Sequence, residues 1–491
     1  MKKVFALFMT LAALSFCFAG TRTVAGSPDE LVVFHDYAGG AYVLYTEAGQ
    51  LHTLKVTSDG QFEDYNPFHT QRNIRNVRML KNDRFSSAST GGFIGTENGR
   101  EQIYIFRVDT GGMLSFYHEA VADMKTGGIE TFTIIGKRDG TIDVYYLKNS
   151  ALIKAMLPRE KSGRIIYEYV SDAGERVSSY EVKPAVMNRE NLQYGWYLTE
   201  KNTGYREAVF FLTEDNNIRQ TEKVQVFSPD ARVEIKESFR GTIYFNIYSA
   251  DTMTEFSVRN KSFVRTLEIG MPEKIKQYIG LDDLAKGAAL VVTGGDDGDR
   301  IYRFEHIHLN APRSEEIEIP AGSVFEGIIY LDYTKALILL REPARRETLL
   351  LNIPTGEIEE KSTVKNPGAK VLYAGNPDYP VLLLHNDAEI LFLKYQDGRW
   401  ESLSGFACDS SGSRLLARTE SSGIINLHEF LTGRSRIMYL ETDGGIIEMD
   451  NTAKTAVHRA GVRQWQSLNL NGFRWRILFN GKELITVLPG E

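Results

Sequence analysis

Two groups of arginine residues carry the side chains in this sequence that are best suited to binding an anion. They are Arg72, Arg75 and Arg78 in QRNIRNVRMLKNDR, and Arg341, Arg345 and Arg346 in LREPARRETL. A guanidinium group binds carboxylates and phosphates through paired hydrogen bonds, so the first group is a candidate groove for an anionic glycan, a lipid headgroup or an acidic partner, and the second a candidate ligand site. The alternative for both groups is a solvated loop with no ligand. The first group recurs every three residues, and on a regular strand successive members would point to opposite faces. The second group lies in a polar turn and is expected to project from one rim of the molecule.

An acidic cluster between Gly294 and Asp299 is a candidate for metal binding. Its carboxylates are Asp296, Asp297 and Asp299. Carboxylate oxygens are hard ligands that suit calcium. The spacing departs from the twelve-residue calcium loop, because aligning Gly298 with the glycine of that loop puts Phe304 where the final glutamate belongs. The cluster is therefore interpreted as the polar tip of a hairpin, and the sequence indicates no metal site.

Signatures of common catalytic sites are absent from the sequence. It has no Gly-x-Ser-x-Gly elbow, no glycine-rich phosphate loop ending in Lys-Ser or Lys-Thr, and no Gly-x-Gly-x-x-Gly after a strand. Cys408 is interpreted as a buried structural thiol. The sequence therefore favours a binding protein over an enzyme, and it indicates no cofactor.

The elements that position these residues are short strands in a recurring unit of strand, polar turn, alternating strand, tight turn and strand. Clear copies begin at Val43, Gly95, Phe132, Leu337, Val381 and Leu415. Tight turns rich in Asn, Asp and Gly follow the alternating strands, as at Asp59-Gly60, Asn149-Ser150, Thr355-Gly356 and Asp397-Gly398. About ten such turns up to Gly472 give a mean spacing of about 46 residues.

A period of this length with about four strands in each unit is typical of β-propeller blades, because a four-stranded sheet buries both faces only when neighbours stack on it. We therefore predict an all-β fold, a β-propeller of about ten four-stranded repeats over residues 28–488, in one large ring or two rings. A seam is expected within 150–217, where the turns are widely spaced. The terminal hairpin at 473–488 is expected to close the ring by pairing with the first repeat. Helical patterning is nearly absent, and Ser115 to Thr126 is the longest candidate for a turn or two of helix.

The segment DSSGSRLLARTESSGIINLHEFLTGR from Asp409 resembles a WD-repeat blade, although His428-Glu429 stands in the place of the Trp-Asp pair. Thr-Gly pairs at 110–111, 355–356 and 432–433 are similar to the blade turns of quinoprotein-like and YVTN-type bacterial propellers. The tryptophan that docks quinoprotein blades is not repeated, since the chain has four tryptophans in all. The resemblance implies a propeller architecture, and such folds host hydrolases, lyases, dehydrogenases and scaffolds alike.

The N-terminus has the features of a bacterial signal peptide, with Lys2 and Lys3 before an apolar run that ends at Ala19. Residues 1–19 are predicted to be removed by cleavage after Ala19; in the alternative, Cys17 is acylated and anchors the chain to a membrane. No later apolar run has the length of a membrane span. The formal net charge of −7 argues against nucleic acid as a partner.

Together these features predict an exported protein of the periplasm, the outer membrane surface or the cell exterior that acts as a non-catalytic scaffold for a protein or glycan partner. Two alternatives stay open. One is a propeller-type polysaccharide hydrolase or lyase, which needs acidic, His or Arg side chains that converge at a channel mouth. The other is an outer-membrane assembly lipoprotein, which needs acylation of Cys17.

Overall fold

In a computed structural model of the chain, the described residues form forty β-strands and no helix. The description runs from Gly20 to Val487. Its gaps of five residues or more are 24–30, 36–40, 66–71, 80–89, 109–113, 122–127, 186–191, 281–288, 306–312, 376–380, 408–413 and 449–463. Shorter gaps fall between strands, and beyond residue 402 the description is mostly of backbone.

The strands form ten four-stranded antiparallel sheets, numbered here in chain order. The first described strand is β1 (Gly20–Thr23), which belongs to sheet 10. Sheet 1 contains β2 (Leu31–His35), β3 (Ala41–Glu47), β4 (Gln50–Val56) and β5 (Phe62–Asp64); sheet 2 contains β6 (Arg72–Met79), β7 (Thr90–Glu97), β8 (Arg100–Val108) and β9 (Leu114–His118); sheet 3 contains β10 (Ile129–Gly136), β11 (Ile142–Lys148), β12 (Ala151–Leu157) and β13 (Ile166–Tyr169); sheet 4 contains β14 (Arg176–Pro184), β15 (Gln193–Glu200), β16 (Arg206–Glu214) and β17 (Asn217–Val226); sheet 5 contains β18 (Arg232–Glu237), β19 (Ile243–Ser249), β20 (Thr252–Arg259) and β21 (Ser262–Gly270).

The second half of the chain continues in the same way. Sheet 6 contains β22 (Lys274–Gly280), β23 (Ala289–Gly295), β24 (Gly298–Glu305) and β25 (Arg313–Ile317); sheet 7 contains β26 (Val324–Tyr330), β27 (Lys335–Arg341), β28 (Arg346–Asn352) and β29 (Ile358–Val364); sheet 8 contains β30 (Lys370–Gly375), β31 (Val381–His385), β32 (Glu389–Gln396) and β33 (Arg399–Ala407); sheet 9 contains β34 (Arg414–Ser421), β35 (Ile424–Leu431), β36 (Arg434–Glu441) and β37 (Ile446–Glu448); sheet 10 contains β38 (Gln464–Leu470), β39 (Phe473–Phe479), β40 (Glu483–Val487) and β1.

Each sheet from 1 to 9 is a meander whose first and fourth strands are its two edges. Four predicted tight turns are confirmed: Asn149-Ser150, Asp397-Gly398, Gly60 and Gly356 adopt positive φ and join neighbouring strands. The first of these joins the second and third strands of its sheet, whereas the other three join third and fourth strands. The turns therefore mark different hairpins, which explains their uneven spacing in the sequence. The Thr-Gly pairs at 110–111 and 432–433 and the last predicted turn, at Gly472, lie outside the described residues.

Apolar side chains fill the interfaces between consecutive sheets from sheet 1 to sheet 8. Between sheets 3 and 4, for example, Tyr145 and Leu147 pack with Tyr197 and Phe211. Sheets 2 to 7 therefore bury both faces, which explains why a second strand such as β27 is an almost unbroken apolar run. This packing confirms the all-β expectation and the four-stranded repeat.

First strands of neighbouring sheets lie against each other. Contacts join β38 to β2, β2 to β6, β6 to β10, β10 to β14, β26 to β30 and β30 to β34. In each of these pairs the first edges of consecutive sheets are thus neighbours.

Sheet 10 combines the two ends of the described chain. Its strand order is β1, β40, β39, β38, with Thr21 opposite Ile485. The Thr486 hydroxyl donates a buried hydrogen bond to the carbonyl of Gly60 in sheet 1 (2.5 Å). The sheets therefore start before residue 28, where the sequence places the first repeat, because β1 is held by pairing rather than by an apolar pattern of its own. The terminal hairpin forms β39 and β40, and its edge pairs with β1 rather than with sheet 1.

Two further expectations concern local structure. The range 150–217, where the sequence places a seam, holds β12 to β17, and sheets 3 and 4 share an apolar core there. The helix expected from Ser115 is wrong at its start, since β9 continues to His118 as the edge of sheet 2. Within the described ranges, no helix is long and apolar enough to cross a membrane.

Candidate functional site

Six consecutive first strands, β6, β10, β14, β18, β22 and β26, form a continuous surface, which we call the first-strand surface. Side chains bridge it from sheet to sheet: Asn76 donates to Glu130 O (3.3 Å), Thr133 to the Tyr180 hydroxyl (3.3 Å), Lys183 to Ile235 O (3.4 Å), Arg232 to Lys276 O (2.5 Å), Lys236 to Tyr278 O (3.2 Å), and Tyr330 back to Gly280 O (2.9 Å). Donors and acceptors advance together along the chain, as from Arg232 to Lys236. Strands β18 and β22 therefore run in the same direction.

These bridges follow from the chemistry of a sheet edge. A first strand pairs on one side only, so the backbone carbonyls on its other side need donors from elsewhere. Lysine and arginine have several donors on long stems and reach across to the next strand. Three of the six bridging donors, Lys183, Arg232 and Lys236, are cations, so part of the positive charge of the first strands serves the packing of the sheets.

Strand β6 contains two bulges. As a result, its three arginines pair with every second residue of β7. The partners of Arg72, Arg75 and Arg78 on β7 are Thr96, Ile94 and Gly92, which lie two residues apart. The extra residues are taken up at Asn73 and Asn76, whose φ angles of 50° and 55° are left-handed. Asparagine tolerates this conformation better than most residues. The expectation that successive arginines alternate between faces is therefore wrong.

The two arginines of β6 whose side chains are described have different surroundings. Arg75 forms an ion pair with Glu101 (2.9 Å) and donates to Ile129 O (2.5 Å), so it ties sheet 2 to sheet 3. Arg78 is exposed and lies near Tyr180; burial raises the pKa of the Tyr180 phenol, and the positive charge of Arg78 partly opposes that rise. Arg75 is committed to packing, whereas Arg78 is open to a ligand.

Sheets 4 and 5 repeat one arrangement of a glutamate and a lysine two residues apart on the first strand, which we call the clasp. The clasp of sheet 4 is Glu181 with Lys183 (2.8 Å), and that of sheet 5 is Glu234 with Lys236 (3.4 Å). In both, the lysine donates to a carbonyl of the next first strand.

Each clasp glutamate accepts a hydrogen bond from an aromatic side chain on the second strand of its sheet. Trp196 Nε1 donates to Glu181 (3.3 Å), and the Tyr248 hydroxyl donates to Glu234 (3.1 Å). The exposed fractions of the side chains are 38% and 42% for Glu181 and Lys183, and 38% and 46% for Glu234 and Lys236. Both clasps therefore present a cation and an acceptor to solvent.

Charge is distributed unequally between the two edges of the sheets. Across the ten described sheets, the first strands contain twelve basic and six acidic residues, whereas the fourth strands contain seven basic and eleven acidic residues. The whole chain has a net charge of −7. The first edges are thus basic in an acidic protein.

Three exposed arginines of this surface have no carboxylate partner among the described residues. Arg78 and Arg176 form no ion pair, and Arg232 lies over the Tyr248 ring (4.3 Å) and donates to a neutral carbonyl. A neutral partner does not cancel the charge of a guanidinium group, so the field of these side chains extends into solvent.

The second predicted arginine group is divided by the structure. Arg341 and Arg345 are about half-exposed at the hairpin between β27 and β28, and Arg345 pairs with Glu342 (3.1 Å). Arg346 is fully buried, binds Glu326 (2.5 Å) and donates to Ala369 O (2.7 Å) ahead of β30. Arg346 therefore joins sheets 7 and 8, and the expectation that it projects from the rim is wrong.

The acidic cluster has a structural role where it is described. Asp299 is buried, pairs with Lys276 and accepts from Phe325 N of sheet 7 (2.9 Å). A side chain at Gly294 would collide with the Lys276 stem, which crosses that position to reach Asp299. Asp297 is exposed at the hairpin, and Asp296 lies outside the described residues. Among the residues described, no three His, Cys, Asp or Glu side chains form a cluster suited to a metal ion. Cys17 and Cys408 also lie outside them.

A buried polar network joins the second and third strands of sheets 3 and 4. Asp143 accepts from Lys137 (2.8 Å), Lys154 (3.4 Å) and Gln193 (2.7 Å), and Gln193 Oε1 accepts from the Tyr145 hydroxyl (2.5 Å). Burial lowers the pKa of Lys154, and the charge of Asp143 opposes that shift. The network is closed to solvent, so we assign it to packing.

A second buried group faces sheet 6 from sheet 5. Burial raises the pKa of Glu255, whose carboxylate accepts one hydrogen bond from the Thr266 hydroxyl (2.8 Å). Its cross-strand neighbour Asn246 lies near the Tyr248 hydroxyl, and neither amide atom of Asn246 makes a hydrogen bond of normal length with a described residue. These polar groups are buried, whereas the first-strand surface is polar and exposed. We therefore take the first-strand surface as the candidate binding surface.

No family model matches the sequence, and no curated protein matches it. Among solved structures, the chain is similar to a prolyl endopeptidase, with 11% identity and a TM-score of 0.35, over 77% of this chain and 55% of the endopeptidase. It is also similar to a dihydro-heme d1 dehydrogenase, with 11% identity and a TM-score of 0.37, over 78% of this chain and 79% of the other. The chain spans 55% of the length of the endopeptidase it matches.

Sequence reasoning missed the clasps, although a signal for them exists. Glu-Val-Lys at 181–183 and Glu-Ile-Lys at 234–236 are copies of one tripeptide at the same position of consecutive repeats. Aligning the repeats on their first strands, rather than on their turns, would have brought the two copies together.

Proposed function

We propose that this protein is an exported cell-envelope β-propeller whose ten sheets close into one ring and whose first-strand surface, facing the central channel, binds an acidic ligand without catalysing its conversion. The observation that carries the proposal is the excess of basic residues on the first strands of an acidic chain. A surface with an excess of one sign of charge attracts ligands of the opposite sign.

Closure of the ring is supported by sheet 10. Its fourth strand is β1 and its first strand β38 touches β2, so the two ends of the described chain meet beside sheet 1. Pairing the two ends in one sheet is the usual way for a propeller to avoid an open edge.

Export is supported by the apolar N-terminal run described above. Both processing alternatives, cleavage after Ala19 and acylation of Cys17, keep β1 and therefore keep its pairing with β40. Mass spectrometry of the mature N-terminus separates them: a chain that begins at Gly20 supports release, and a diacylglyceryl adduct on Cys17 supports an anchored protein.

Binding is tested with two double variants of equal net charge. Arg78→Glu with Arg176→Glu alters the first-strand surface at two residues that have no ion pair among the described residues. Lys361→Glu with Arg399→Glu alters two exposed cations of fourth strands. The probe is fluorescently labelled polygalacturonate, measured at low and at high ionic strength, with neutral dextran as a control.

The first variant is expected to weaken polygalacturonate binding about tenfold at low salt, and the second to leave it within about twofold of the wild type. Equal weakening by both variants would mean that overall charge, rather than the first-strand surface, determines binding. Conversion of the polymer to shorter products would contradict the non-catalytic role.

A further inference from the structure

The two clasps are equivalent in chemistry and lie on adjacent first strands. Each combines an exposed ammonium group with a half-exposed carboxylate two residues away on the same face. A third first-strand pair of this kind is not found from β6 to β26 among the described residues. The repetition is therefore local to sheets 4 and 5.

A surface that alternates cations with carboxylates selects a particular kind of acidic ligand. On β18 the order along one face is Arg232, Glu234, Lys236. A ligand with anionic groups alone gains from the two cations and is repelled by Glu234. A ligand that carries both carboxylates and hydroxyl donors satisfies all three side chains, because an ionised carboxylate is an acceptor only.

We propose that the clasps at Glu181–Lys183 and Glu234–Lys236 are two adjacent subsites for an oligosaccharide of uronic acids, with carboxylates on the lysines and sugar hydroxyls on the glutamates. This inference rests on the proposed function and narrows its ligand from an acidic molecule to an acidic glycan. Two equivalent subsites fit a ligand that is itself a repeat, since one chain then occupies both.

The aromatic side chains behind the clasps fix the acceptors in place. Trp196 and Tyr248 each donate to the clasp glutamate from the second strand. In Glu181 the tryptophan contacts Oε2 and Lys183 contacts Oε1, whereas in Glu234 the tyrosine and Lys236 both contact Oε2. Pre-orientation of this kind lowers the entropy lost when a sugar hydroxyl binds.

The sign of one substitution distinguishes a glycan from an acidic peptide. Glu181→Ala with Glu234→Ala removes two acceptors and two negative charges. Binding of an oligogalacturonate of eight residues is expected to weaken about fivefold to tenfold, because hydroxyl contacts are lost. Binding of poly-L-glutamate of similar charge is expected to strengthen, because repulsion is removed. Stronger binding of both probes would overturn the assignment to a glycan.

Ligand length tests whether the two subsites act together. Lys183→Met and Lys236→Met are each expected to weaken the octamer about threefold to fivefold, and the double variant to weaken it about tenfold or more. Monomeric galacturonic acid, which has a single carboxylate, is expected to bind weakly and to lose no more in the double variant than in the more affected single variant. Lys335→Met is the control, because Lys335 is 40% exposed and ion-paired with Glu359 outside the first strands.

Failure of this inference is distinguishable from failure of the proposed function. If all clasp variants bind the octamer like the wild type while Arg78→Glu with Arg176→Glu loses binding, the first-strand surface binds acids but the clasps are structural. If no first-strand variant changes binding, both are wrong. Thermal unfolding of each variant, and Lys→Arg substitutions that keep the charge, show whether a loss of binding reflects a loss of fold.

Discussion

The first and fourth strands of these sheets are both edges, yet they differ in how their backbone is satisfied and in their charge. First strands from sheet 2 to sheet 7 are bridged by side chains that donate to carbonyls of the neighbouring first strand. Fourth strands are more acidic, and the described residues with large exposed apolar side chains lie there, at Ile166, Tyr167, Tyr169 and Val264.

The difference shows that packing and charge are coupled at the first edge. Bridging a neighbouring carbonyl over several ångströms requires a long donor, and the long donors available to a protein are mostly cations. Part of the basic charge of this surface therefore arises from the way the sheets are joined. The proposed binding function uses charge that the fold already needs.

The largest effect is expected where neither edge is involved, at the buried network of sheets 3 and 4. Asp143→Ala leaves Lys137 and Lys154 buried without their carboxylate, and we expect the free energy of unfolding to fall by about 3–5 kcal/mol. Glu359→Gln, which breaks an exposed ion pair, serves as the control and is expected to leave the urea midpoint unchanged. Equal effects of the two substitutions would show that the network does not hold the sheets together.

A smaller effect is expected from the bulges of β6. Asn76→Val places a β-branched residue at a φ of 55°, which costs about 1–2 kcal/mol, whereas Asn76→Gly relieves the backbone. Both variants lose the hydrogen bond to Glu130 O, so their difference isolates the backbone term. Chemical denaturation of the pair measures it, and equal midpoints would mean that the left-handed conformation is not present in solution.

The bridges between first strands are expected to contribute less. Lys236→Met removes the hydrogen bond to Tyr278 O and keeps the stem, so the free energy of unfolding is expected to fall by about 0.5–1 kcal/mol. Lys335→Met is the matched control, with no change expected in the thermal midpoint. A fall of similar size in the control would remove the distinction between first-strand lysines and others.

The smallest expected effect concerns pH. Burial raises the pKa of Glu255 in the folded state, so the folded protein binds this proton more tightly than the unfolded chain does. Its contribution to stability is therefore greatest below the unfolded pKa and declines as pH rises through the raised folded pKa. Glu255→Gln is expected to remove this decline. Compared with the wild type, the variant is therefore expected to gain stability at neutral pH relative to acidic pH. Thermal midpoints measured across acidic and neutral pH test this, and parallel profiles for both proteins would contradict it.

Much of the fold can be predicted from the sequence because the repeat produces a regular pattern of turns and apolar strands. Turns such as Asn149-Ser150 need positive φ, and apolar second strands need cover on both faces, so the four-stranded repeat is predictable. Strand β1 cannot be predicted from the sequence, since Gly20–Thr23 has no apolar pattern. It forms by pairing with β40, which is distant in sequence.

The candidate site was harder to predict because burial and register decide it. Neighbours in sequence, Arg345 and Arg346, differ completely in exposure, because Arg346 begins β28 and binds Glu326 on β26 and the carbonyl of Ala369. The arginines of β6 pair with alternate residues of β7 only because two asparagines of β6 adopt left-handed conformations. Neither fact is visible in residue type or spacing.

Lysine footprinting tests the central claim most directly. Lys183, Lys236 and Lys335 are 42%, 46% and 40% exposed, so an acylating reagent can reach each of them, and labelling of each lysine is compared with and without ligand. With saturating oligogalacturonate, mass spectrometry is expected to show protection of Lys183 and Lys236 on the first strands and unchanged labelling of Lys335. Protection of Lys335, or unchanged labelling of all three while the ligand is bound, would place the binding surface elsewhere and contradict the account.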